Sequence, residues 1–297
     1  MAKAPTPSNI YFVEVESIAS SVGGVLYGMY SVMAVLALAS LVFQRSKASR
    51  GTIFLIAVIT TMLLFETLNT IASTFLMASD IRSFSASSYP KATTAVIIVD
   101  LVVSKLNFFL NDLVIVWRAW SIVEPRPRWV QAVLVFCVFL SFGAVLVDII
   151  LATDSTLAGP NLNYTTARVV MPLSLLVTNI VATAIIGLRT WNFCTALKYI
   201  GEDAGGRVRH LTEVLMLLVE TGCIYSLILI LVVLDITLDA FSTEARYMLT
   251  SIIPHVTCIY PCLMVLIIMF KKRSYDAKYQ EHPTAVWSIS PQMSFMT

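Results

Sequence analysis

Seven apolar runs, each long enough to cross the ~30 Å hydrocarbon core of a bilayer, constrain this chain more than any other feature in it. They lie at about 22–43, 52–78, 95–122, 129–151, 168–191, 211–238 and 244–270. In lipid every backbone N–H and C=O must find an internal partner, so the runs are predicted helices. The expected fold class is all-α, a seven-transmembrane-helix bundle. Composition agrees: 58% of the 297 residues are hydrophobic and 13% charged, against about 45–50% and 25% in a water-soluble domain. The domain reading has three parts. Residues 1–21 form a polar tail expected outside, 22–270 the membrane domain, and 271–297 a polar cytosolic tail expected to be disordered.

Charge sets the expected orientation. Of the 20 Lys and Arg, fourteen fall in the loops that share a side with the C-terminus. Five fall on the other side, and Lys105 lies within a run. The positive-inside rule then puts the N-terminus outside and the C-terminus in the cytosol. The sequon at Asn163 falls in an outer loop under this topology, as a glycosylation site must. Trp117, Trp120, Trp129 and Trp191 gather at the cytosolic boundary, where an aromatic belt sits. None of the five cysteines falls in an outer loop, so no disulfide framework is expected.

The third run is unusual for its polarity. It carries Lys105, Asn107, Asn111 and Asp112 near its middle. A mid-bilayer Lys or Asp costs about 2.5–3.5 kcal/mol, whereas each large apolar residue returns only about 0.3–0.6 kcal/mol. This helix belongs at the centre of the bundle, with its polar groups facing other helices. Other helices offer partners: Glu66 on the second and His255 on the seventh lie within about one turn of Lys105 in depth, Asn69 shares the face of Glu66, and Glu220 on the sixth falls, like Asp112, about a turn or two closer to the cytosol. Together these form a candidate ligand-binding or switching network. The competing reading is a permanent Lys105–carboxylate pair that only ties helices together.

Arg118, at the cytosolic end of the third helix, is a candidate coupling residue, with a snorkelling arginine as the plainer alternative. Pro172, Pro254 and Pro261 are candidate hinges, and passive kinks are the alternative. Three histidines, with no H-E-x-x-H and no G-x-S-x-G, point away from an enzyme. No catalytic residue, metal ligand, cofactor or nucleic-acid contact is expected. The last helix has no lysine before Lys271 to carry a retinal Schiff base.

The helix count and expected orientation resemble the plan of G-protein-coupled receptors. Three phrases, Asn111-Asp112-Leu113-Val114-Ile115-Val116-Trp117-Arg118-Ala119-Trp120, Leu217-Leu218-Val219-Glu220-Thr221-Gly222-Cys223-Ile224-Tyr225-Ser226 and Ile259-Tyr260-Pro261-Cys262, resemble a group of seven-helix membrane proteins of mushroom-forming fungi. That resemblance implies topology and carries no activity. The chain departs from rhodopsin-like receptors in three places: no cysteine opens the third helix, Trp117 rather than an acid precedes Arg118, and no Asn precedes Pro261. The expected function is a receptor-like sensor in the plasma membrane. It would take a small or lipid-like ligand from the outer half and signal to a cytosolic partner. A transporter or channel using Glu66, Lys105, Asp112 and His255, and a non-catalytic scaffold, are the alternatives.

Overall fold

The computed structural model describes residues 7–43, 50–83, 91–122, 127–158, 168–200, 205–238 and 241–281. Seven helices fill them: α1 (Pro7–Phe43), α2 (Arg50–Ser83), α3 (Lys91–Ile122), α4 (Arg128–Ala158), α5 (Val170–Ile200), α6 (Gly205–Leu238) and α7 (Thr243–Glu281). Each contains a stretch long and apolar enough to cross a membrane. The chain is therefore all-helical among the described residues, and it is a polytopic integral membrane protein.

Two helices run past their apolar segments. α1 begins at Pro7, inside the stretch expected to be a polar tail. Proline suits a first helical position, because the N–H it lacks has no intrahelical partner there. The extra turns also reach a neighbour, since the Tyr11 hydroxyl donates to Glu244 Oε1 at 3.5 Å. α7 likewise continues through Lys271 to Glu281. Hydropathy marks where lipid would end, whereas a helix stops only where its hydrogen-bond ladder is broken. Asn163, and the tail beyond Glu281, lie outside the described residues.

α3 occupies the centre, as its polarity demands. It packs against α2, α4, α5 and α7, while α1 closes the ring between α2 and α7. Side chains of α3 enter both apolar clusters. Ile115, Val116 and Ala119 join Leu134, Leu175, Ile186, Leu218 and Met264 in one. Val114 joins Tyr30, Ile59, Met62 and Leu266 in the other. Both clusters lie mainly toward the end of the bundle where α1 finishes, called here the lower end. The outer surface is rich in exposed Val, Leu, Ile and Phe, as a lipid-facing surface must be. Trp129 and Trp191 are exposed at the lower end.

Candidate functional site

The upper half of the bundle, where α1 begins, is hollow. A cavity of about 1060 Å³ lies among all seven helices. Pockets for small molecules span roughly 300–1,000 Å³, so this one sits at the large end. Its lining mixes apolar residues (Leu101, Phe108, Met171, Leu229) with Asp100, Lys105, Asp148 and His255.

A fully buried carboxylate lies beside the cavity floor. Glu66 on α2 is inaccessible to solvent. Its Oε2 accepts from Asn107 Nδ2 at 2.6 Å. Its Oε1 lies 2.5 Å from His255 Nδ1, an ion pair when the imidazole is protonated. Cys258 Sγ donates to the same Oε2 at 3.6 Å. One carboxylate thus joins α2, α3 and α7. Gly23 makes room for this on α1. A Cβ there would come within 2.8 Å of Ser251 Oγ and 3.2 Å of His255 Nε2. The glycine is needed for the close approach of α1 to α7.

The α2–α3 seam has a fixed register. Below, Asn107 meets Glu66; three residues back along α3, Ser104 Oγ donates to Asn69 Oδ1 at 2.6 Å. The α3–α4 seam is built the same way. Lys105 Nζ lies 2.8 Å from Asp148 Oδ2. Seven residues on along α3 and seven back along α4, Ser141 Oγ donates to Asp112 Oδ2 at 2.5 Å. Ser141 also shares a 2.9 Å hydrogen bond with Thr178 of α5. On the next seam Asn179 Nδ2 donates to Gly222 O and Ser226 Oγ of α6.

At the lower end Arg118 is buried. Its Nη2 donates to the Tyr260 hydroxyl at 2.6 Å, and its guanidinium carbon lies 4.8 Å from the centre of that ring. Tyr260 in turn stacks on Tyr225, with ring centres 5.4 Å apart. Arg118 therefore ties α3 to α7, and through the stacked rings to α6. It does not snorkel. Its Nε and Nη1 have no hydrogen-bond partner among the described residues.

Of the expected network, Glu66, Asn107 and His255 come together, and Asn69 extends the same seam. Lys105 turns to α4 and pairs with Asp148 rather than Glu66. Asp112 faces α4 as well, on the stripe it shares with Lys105. Asn111 is fully buried, and neither atom of its side-chain amide has a hydrogen-bond partner among the described residues. Glu220 does not belong to the network. α6 buries Leu215, Leu218, Gly222, Tyr225 and Leu229, and Glu220 falls on the opposite, exposed face. Pro172 is in the first turn of α5, where no intrahelical hydrogen bond is lost, so it is no hinge; it lines the cavity instead. Pro254 and Pro261 do interrupt the ladder of α7.

Asp148, Asp100, Asp235, Ser141 and Tyr260 are the site residues that the sequence reading left out. Asp148 lies near the end of the fourth apolar run, and α4 continues past it to Ala158.

No protein-family model matches the chain, and no curated protein is similar to it. The fold and site define its class on their own: a seven-helix integral membrane protein with a hollow, charged upper half and a packed lower half.

Proposed function

We propose that the protein is a receptor-like sensor, in which a small ligand held in the upper cavity biases α7 and, through it, the lower end of the bundle. The observation that carries this reading is the placement of two contacts on one helix. His255 forms part of the cavity floor, and Tyr260, little more than one turn further on, holds Arg118. Pro254 and Pro261 flank that stretch. Each removes one main-chain hydrogen bond, so α7 is weakest where it would have to flex. A ligand that alters the His255–Glu66 contact would shift the helix that carries Tyr260, provided it favours one of the two arrangements.

The charge asymmetry of the loops supports an orientation in which the cavity opens outside and Arg118 faces the cytosol. Under that orientation a cytosolic signalling protein would read the lower end, and the plasma membrane is the natural location. The resemblance to the receptor plan supports the same reading. A transporter is the second reading, favoured by the paired intramembrane charges Lys105–Asp148 and Glu66–His255.

Proximity labelling from a C-terminal tag, with wild type and Arg118→Ala side by side, tests the proposal. A cytosolic signalling protein enriched by the wild type and lost in the variant, at equal surface expression, is the expected result. Substrate or proton flux in liposomes without any such enrichment would favour the transporter.

A further inference from the structure

Most ionisable side chains around the cavity already have partners. Lys105 pairs with Asp148, Arg246 Nε with Asp235 at 3.2 Å, and His255 with Glu66. Glu16, Arg168 and Tyr247 are also engaged. Asp100 is the exception. It lines the cavity, and no hydrogen bond or ion pair reaches it from the described residues. Its Oδ1 is shielded from solvent without a partner. A carboxylate so placed costs free energy until a cation or donor reaches it.

The wall around Asp100 is built mainly of hydroxyl groups, with the side-chain amide of Asn69 below them. The α2–α3 register that joins Glu66 to Asn107 and Asn69 to Ser104 sets Ser73 opposite Asp100, one turn above Asn69. The Ser73 hydroxyl already donates to Asn69 O at 2.9 Å, that of Thr70 to Glu66 O at 2.9 Å, and that of Ser104 to Asn69 Oδ1 at 2.6 Å. Their protons are committed, so these oxygens meet a ligand as acceptors. Ser73, Thr70 and Ser104 line the same cavity as Asp100. A wall of one unpaired carboxylate and several acceptor oxygens favours a group that only donates. An alkylammonium is such a group, with three N–H donors and no acceptor. A carboxylate ligand would meet repulsion there, and the cations that might receive it elsewhere in the cavity are already engaged.

Resting on the reading of the cavity as a ligand site, we infer that its ligand is a primary amine with an apolar body, its ammonium held by Asp100 against Ser73 and Ser104. The apolar body has Ile97, Leu101, Phe108 and Met171 to pack against.

The test uses the full-length protein in lipid nanodiscs and three probes with one apolar body: phenethylamine, 2-phenylethanol and phenylacetate. Binding is measured by titration calorimetry, with empty nanodiscs subtracted for partitioning into lipid. The amine is expected to bind tighter than the other two by about tenfold or more, the ratio that a charge-assisted hydrogen bond supplies. Asp100→Asn should bring the amine down to the level of the alcohol, and Asp100→Glu should keep the preference. Equal or tighter binding of phenylacetate or 2-phenylethanol to the wild type overturns the inference and leaves the ligand cavity standing. So does an amine preference that survives in Asp100→Asn. The wild-type ranking decides the matter even where a variant fails to accumulate. No binding by any of the three overturns both the inference and the ligand reading of the cavity.

Discussion

The upper and lower halves of this bundle solve the same problem in opposite ways. Both must place polar side chains inside a membrane protein. The lower half buries Arg118 against Tyr260 and surrounds it with aliphatic side chains from α3 to α7. The upper half leaves a cavity of about 1060 Å³ and arranges pairs along its wall. A polar group next to open space can exchange its partner for a ligand, whereas one sealed in a dense core cannot move without disturbing its neighbours. On the proposed reading, recognition belongs to the upper half and mechanical coupling to the lower. Glu66 lies at the junction, with α2, α3 and α7 all attached to it.

The junction should be the most sensitive point. Glu66→Leu leaves Asn107 and His255 buried without their acceptor, which should cost about 3–5 kcal/mol, seen as a large fall in Tm in detergent. Glu66→Leu combined with His255→Leu should recover much of that loss. A double variant as unstable as the single would show that the cluster is more than a pair.

Next comes the lower half. Arg118→Ala removes a charge-assisted hydrogen bond and a cation–π contact, for about 2–3 kcal/mol. Tyr260→Phe should lose less, because the ring and its stacking on Tyr225 remain. A Tyr260→Phe change as damaging as Arg118→Ala would place the hydroxyl, rather than the ring, at the centre of the lock.

The α1–α7 seam should respond more mildly. Gly23→Ala sets a methyl group against Ser251 and His255, at a cost of about 1–2 kcal/mol from overpacking. Its effect on ligand titrations should exceed its effect on Tm, because His255 belongs to the cavity floor. Glu220→Gln should be the smallest change of all. Glu220 lies on the exposed face of α6, so unfolding and ligand titrations should both match the wild type. A measurable loss of ligand binding would return Glu220 to the network.

Much of this organisation is legible in the chain. The polarity of the third run is enough to put α3 at the centre, because no lone helix in lipid tolerates Lys105 and Asp112 without partners. Glu66, Lys105 and His255 were expected near one plane on depth alone; Glu66 and His255 meet, whereas Lys105 does not join them. Depth cannot choose between two carboxylates, however. Lys105 found Asp148 because the facing stripe of α3 points to α4, and helix rotation depends on packing along the whole seam. Glu220 misled for the same reason. Its helix is apolar all round, so periodicity does not mark a buried face. Nothing in its spacing singles out Asp100; α3 begins at Lys91 and carries it into the cavity wall. The cavity itself has no local signature; it forms where seven helices leave space between them.

The central claim is that the cavity floor and the Arg118 lock are coupled through α7, and fluorine NMR of Tyr260 tests it most directly. The protein would be labelled with 3-fluorotyrosine and the Tyr260 signal assigned by its loss in Tyr260→Phe. Wild type would then be compared with Glu66→Gln, which keeps the shape of the side chain and removes its charge. The account predicts that the Tyr260 resonance shifts or splits in Glu66→Gln, as its stacking on Tyr225 and its bond to Arg118 change. A Tyr260 resonance identical to the wild type, in a folded Glu66→Gln protein, would contradict the coupling and leave the two halves as independent structures.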